Sequence, residues 1–152
     1  MHDDVPPRGA ILLIEDNPHD VLLTRRAFRK AGIDAPLAVV SDGEQAVGYL
    51  AGAGEYTDRQ SHPWPTLVLL DWKLPRMSGA EVLRWIREQP TLDATPVVVL
   101  TSSREEEDVL AAYRAGANSY LNKPVAFDAL LQMLERLHAY WLRTNIALLP
   151  DR

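Results

Sequence analysis

Carboxylates, a hydroxyl and an ammonium stand directly after short apolar runs of this chain. Glu15 and Asp16 follow Ala10 to Ile14, Asp71 follows Leu67 to Leu70, Thr101 follows Val97 to Leu100, and Asn122-Lys123-Pro124 follows Ser119 to Leu121. Three acids crowded at one edge would repel one another unless a cation or protons compensate, and hard oxygen donors without imidazole or thiol suit Mg²⁺. Mg²⁺ keeps several waters and favours one or two carboxylates plus phosphate oxygens, so the set points to phosphoryl chemistry. Lys123 can neutralise one phosphoryl oxygen and the Thr101 hydroxyl can donate to another. A carboxylate is then the attacking group, because no serine, cysteine or histidine occupies a better-placed run end.

Such residues meet only if the runs are neighbouring strands. Five runs (the four above and Leu37 to Val40) are short, rich in Val, Ile and Leu and free of polar alternation, the pattern of strands covered on both faces. Helical signals lie between them. Asn17-Pro18 reads as an N-cap with proline in the first turn, and Gly32 as the matching stop. Ser78 with Glu81, and Ser103 with Glu106, read as capping boxes, closed by Pro90 and Gly116. Asp42-Gly43 reads as a helix entry. Apolar residues at Phe127, Leu130, Leu131, Leu134, Leu137 and Trp141 give the last helix one core-facing stripe. Strand and helix in alternation predict an α/β fold, a doubly wound five-stranded parallel sheet with helices on both faces. Ligands of such sheets bind beyond the carboxyl ends of the strands. The plan divides the chain into a flexible N-terminus (1–9), one domain (10–141) and a tail (142–152).

Composition narrows the function classes. At 47% hydrophobic and 24% charged, the 152 residues describe an ordinary globular protein. A formal net charge of -5 argues against broad attachment to nucleic acid or anionic lipid. There is no cysteine for a disulfide or zinc-thiolate site. The opening MHDDVPPRG is too acidic for a signal peptide, and no apolar run approaches a membrane span, so a cytoplasmic location is expected. His2, His19, His62 and His138 lack metal-ligand spacing and are expected at the surface. Gly52-Ala53-Gly54 follows a helix instead of linking a strand to one, which argues against dinucleotide binding. The charges from Arg104 to Asp108 read as a solvated helix start.

The segments Leu13-Ile14-Glu15-Asp16-Asn17, Leu70-Asp71-Trp72-Lys73-Leu74-Pro75-Arg76-Met77-Ser78-Gly79, Leu100-Thr101-Ser102-Ser103 and Tyr120-Leu121-Asn122-Lys123-Pro124 resemble the receiver domain of two-component response regulators. The resemblance implies the flavodoxin-like strand order 2-1-3-4-5. It implies that Asp71 accepts a phosphoryl group from a phosphohistidine of a sensor histidine kinase. Glu15, Asp16, Asp71 and the backbone carbonyl of Trp72 would hold Mg²⁺, while Thr101 and Lys123 bind phosphoryl oxygens. Tyr120 would be a switch aromatic that follows Thr101, and a cis bond would precede Pro124. The loop from Glu55 to Pro65, the Asp71-Trp72 pair, and Tyr140-Trp141-Leu142 with Leu148-Leu149-Pro150 are similar to stand-alone regulators of phytochrome-type kinases.

Two other classes compete. An aspartate-nucleophile phosphatase of the haloacid dehalogenase type uses related chemistry, but generally carries an acid two residues after its nucleophile, where this chain has Lys73. A scaffold that is never phosphorylated would not need the acid, threonine and lysine together. The 28 residues after Pro124 are too few for a DNA-binding domain, so the expected output is a protein contact. Tyr140, Leu142, Ile146, Leu148 and Leu149 leave apolar surface beyond the core stripe, which reads equally as a homodimer contact or as a tail folded back over its own domain; the resemblance to photoreceptor-linked regulators implies the homodimer.

Overall fold

Side chains of successive strand residues alternate between faces, so an unbroken Val, Ile and Leu run is stable only between two apolar layers. A computed structural model, which describes residues 9–149, has this arrangement. His2, the N-terminal segment before Gly9 and the end of the tail (150–152) lie outside the described residues.

The order is β1 (Ala10–Ile14), α1 (Pro18–Ala31), β2 (Leu37–Val40), α2 (Gly43–Ala51), β3 (Pro65–Leu70), α3 (Gly79–Glu88), β4 (Val97–Thr101), α4 (Glu106–Ala115), β5 (Ser119–Asn122) and α5 (Phe127–His138). All strand pairs are parallel, in the order β2-β1-β3-β4-β5. Leu12, Ile14, Val68, Leu70, Val97 and Val99 pack on one face with α2, α3 and Ala112 of α4. Ile11, Leu13, Leu67, Leu69 and Val98 pack on the other with α1 and α5. β1, β3 and β4 are buried throughout, as expected. The edge strands β2 and β5 are mostly half-buried, because each lacks a neighbour on one side.

Caps set the helix boundaries. Asn17 Oδ1 accepts from the His19 and Asp20 N–H groups at 2.9 and 3.4 Å, Asp42 accepts from Gln45 at 2.8 Å, and Ser78 with Glu81 forms the expected capping box. The second expected box is absent. α4 begins at Glu106 behind Glu105, and the Ser103 hydroxyl instead meets Asp108 at 2.5 Å. The Ser103 carbonyl accepts from Tyr120 Oη at 3.0 Å and Asn122 Nδ2 at 2.6 Å, which holds this stretch out of the helix.

The segment between α2 and β3 is better packed than its polar sequence suggests. Tyr49, Tyr56 and His62 meet with ring centroids 5.0–5.8 Å apart, so His62 is half-buried among rings, not a surface residue. The Arg59 guanidinium lies 3.7 Å from the Trp64 ring centroid. Buried Tyr49 donates to the Pro63 carbonyl at 2.8 Å, and burial pushes its phenol up to about 12. The folded state thus favours the neutral phenol, and this contribution, present below the ordinary value of 10.0, is lost as pH rises through about 12. Tyr49→Phe leaves the carbonyl without its donor and should lower stability by about 1–2 kcal/mol in urea denaturation.

α5 runs into a π-helical turn, Ala139–Thr144. Trp141 and Leu142 pack on the α1/α5 side of the core, so Leu142 is not spare surface. Ile146 and Leu148 are exposed. Among the described residues no helix is long and apolar enough to cross a membrane.

Candidate phosphoryl-acceptor site

Backbone pairing between strands fixes where each functional residue starts. The Glu15 N–H donates to the Val40 carbonyl, the Asp71 N–H to Ile14 and the Lys123 N–H to Thr101, at 2.9–3.0 Å. Strands that end in register therefore deliver Glu15, Asp71, Thr101 and Lys123 to one edge of the sheet. Glu15, Asp71 and Thr101 are buried, while Asp16 is exposed at the mouth. Gly79 lets the loop after β3 close over this edge. Its N–H donates to the Trp72 carbonyl at 3.2 Å, and a Cβ there would stand 2.8 Å from the Asp71 carbonyl oxygen.

Carboxylate oxygens of Glu15, Asp16 and Asp71 lie within 4.8 Å of one another. Lys123 Nζ contacts Glu15, reaches Asp71 Oδ2 at 3.3 Å and reaches Asp20 Oδ2 at 3.0 Å. Burial would depress the Lys123 ammonium, but its contacts with Glu15, Asp71 and Asp20 outweigh that and raise it, so it stays charged. Burial pushes the Glu15 carboxyl up to about 7, against the hydrogen bonds from Lys123 and the Asn17 N–H, with the Asp71 charge adding to the rise. Four carboxylates thus face one ammonium, an imbalance that a divalent cation resolves. Three converging carboxylate oxygens are a fit donor set for Mg²⁺ or Mn²⁺.

The structure brings together every expected acid and Lys123, with Thr101 at the end of the neighbouring strand. It also adds Asp20, a first-turn acid of α1 that belongs to none of the sequence motifs above. Only the α1 direction, set by the Asn17 cap, turns that residue toward Lys123. The cis bond implied before Pro124 is not found; every described peptide bond is trans. Trans is the lower-energy X–Pro form, and Lys123 reaches the acids from it.

A parallel sheet in this order, with acids and a lysine at its carboxyl edge, defines a phosphoacceptor signalling domain, and residues 11–135 match the response regulator receiver domain. The chain belongs to that family, whose members generally signal instead of turning over outside substrates, so the phosphatase alternative is not favoured. It is 39% identical over 144 residues to Response regulator Rcp1 of Synechocystis sp., covering 95% of this chain and 96% of that protein. The Mn²⁺-bound form of Rcp1 superposes with a TM-score of 0.81 at 38% identity, covering 92% of this chain and 99% of that one. The phosphorylated cyanobacterial phytochrome response regulator RcpA gives 0.82 at 35% identity, covering 93% and 99%. Response regulator RPA3017, of red light signalling in R. palustris, gives 0.87 at 34% identity, covering 92% and 98%.

Proposed function

We propose that Asp71 accepts a phosphoryl group from the phosphohistidine of a phytochrome-type sensor histidine kinase, and that the phosphorylated chain signals through protein contacts. The observation that carries this is the Lys123 ammonium 3.3 Å from Asp71, beside an acid pair. Resemblance to RcpA, a phytochrome response regulator, and to RPA3017, a response regulator in red light signalling, supports the kinase class. In the transfer an Asp71 oxygen attacks phosphorus, a P–O bond forms, and the P–N bond breaks with its electron pair leaving on the imidazole. Lys123 and the Thr101 hydroxyl then hold phosphoryl oxygens. Glu15, Asp16, Asp71 and the Trp72 carbonyl would hold Mg²⁺, which when bound supplies charge screening between the carboxylate and the incoming group. Tyr120, tied through its hydroxyl to Ser103, follows Thr101 when that residue moves toward the phosphoryl group.

The test is incubation with acetyl phosphate and Mg²⁺ followed by intact-mass measurement. The wild type should gain one phosphoryl group, and EDTA should prevent the gain. Asp16→Ala should weaken Mg²⁺ binding by an order of magnitude or more, as loss of one of few charged ligands does. Equal uptake with and without the metal counts against the assignment.

The same reading makes 10–141 the receiver and 142–152 a dimerisation arm. Leu121, Met133, Leu137, Tyr140 and Trp141, with Arg136, line a mostly apolar groove beside β5, and Ile146 and Leu148 stand exposed on the chain just beyond it. A second copy of this chain would fit both features at once, since a symmetric pair places each arm on the other's groove. The full chain should sediment as a dimer at micromolar concentration and a version ending at Arg143 as a monomer. Identical monomeric sedimentation of both, phosphorylated or not, removes the arm.

A further inference from the structure

Asp108 sits in the first turn of α4, in a charged run whose other members, Arg104 to Glu107, are exposed. Its side chain is only 15% exposed. Lys73 Nζ lies 3.3 Å from its Oδ2, and the Ser103 hydroxyl donates to the same oxygen at 2.5 Å. The Ser103 bond most of all, then the Lys73 contact, hold this carboxyl below the usual range against the opposing effect of burial. Lys73 follows Asp71 by two residues, and Ser103 follows Thr101 by two. One carboxylate of α4 therefore ties down both loops that frame the phosphoryl site.

We propose that Asp108 is a positioning residue that holds the Lys73 ammonium away from Asp71 and thereby sets how fast an acyl phosphate there is hydrolysed. The proposal rests on the reading of Asp71 given above. In that hydrolysis a water oxygen attacks phosphorus and the P–O bond to Asp71 breaks, its electron pair returning to the carboxylate. The protons of the water go to phosphate and solvent. Lys73 is 63% exposed and long enough to swing, so its ammonium can leave Asp108 for a phosphoryl group two residues upstream, with the charge of Glu105 a weaker attraction than Asp108. Bound to Asp108, it leaves the solvent side of Asp71 open to water. Released, it is drawn over the phosphoryl oxygens and covers that side.

The experiment loads the full chain with acetyl phosphate and Mg²⁺, removes the donor and follows loss of the phosphoryl group by intact mass. Asp108→Ala should lengthen the lifetime roughly three- to fivefold, the size that a solvent-screened charge contact brings. Asp108→Asn keeps an acceptor for Ser103 but not the charge for Lys73; it should match Asp108→Ala, which separates lost charge from lost scaffolding. In a Lys73→Ala background either substitution should change nothing. A lifetime indifferent to Asp108, or one lengthened equally without Lys73, overturns the proposal. A wild type that takes up no phosphoryl group removes the Asp71 reading and this one with it, whereas normal loading with decay indifferent to Asp108 removes this one alone. If Asp108→Ala does not fold, the Asn variant with and without Lys73 carries the same comparison.

Discussion

Asp71→Asn should take up no phosphoryl group from acetyl phosphate while remaining folded. The substitution is nearly isosteric, yet an amide oxygen is not a nucleophile of carboxylate strength, so the attacking group is lost outright. Neighbouring acids do not replace it. Glu15 is buried against Lys123, which occupies its carboxylate, and Asp16 is at the mouth without a lysine contact. Stability should hold, since Lys123 keeps Glu15 and Asp20 and one repulsive charge has gone. Intact mass with fragmentation checks both halves of this expectation, and a phosphoryl group on any other carboxylate would displace Asp71 from its role.

The second large effect concerns packing against the loop that follows Asp71. Gly43, the first residue of α2, lies so close to Met77 that an added Cβ would stand 2.0 Å from its carbonyl oxygen and 2.8 Å from its carbonyl carbon. Both atoms are backbone, so no rotamer change relieves the clash. Gly43→Ala should cost about 3 kcal/mol, the upper range for overpacking, and should slow phosphoryl uptake by displacing the loop. Gly48, in the same helix, is the control. Its added Cβ would meet only the Tyr56 ring at 3.7 Å, so Gly48→Ala should raise stability by about 0.5–1 kcal/mol through helix propensity. Urea denaturation of the two variants should therefore move in opposite directions.

Much of this was legible from residue order because each cue was local. Leu67 to Leu70 has to be a buried strand, and Asp71, the next residue, has to sit at its end. Asn17-Pro18, Asp42-Gly43 and Ser78 with Glu81 carry their caps within four residues. Asp20 and Asp108 were not legible, because both read as ordinary first-turn acids that favour the helix macrodipole. Their partners, Lys123 and Lys73, lie on other elements and meet them only after the sheet has closed. Ser103 misled for a related reason: its carbonyl is claimed by Tyr120 and Asn122 of β5, and that tertiary claim outweighs the capping signal. His62 likewise owes its burial to rings at Tyr49 and Tyr56, which no periodicity announces.

The Lys123 contacts join residues 103 and 52 positions apart, and they arrive on an edge strand that is the last to emerge during synthesis. A nascent chain that has made only its first four strands holds Glu15, Asp16, Asp20 and Asp71 without their counter-ion. Such a fragment favours protonated acids or an open edge, and it gains its one ammonium only when β5 docks beside β4. On the proposed role of Asp71, competence to receive a phosphoryl group would report completed folding, because the one ammonium that contacts Glu15, Asp20 and Asp71 is carried by the residue that follows the last strand of the sheet.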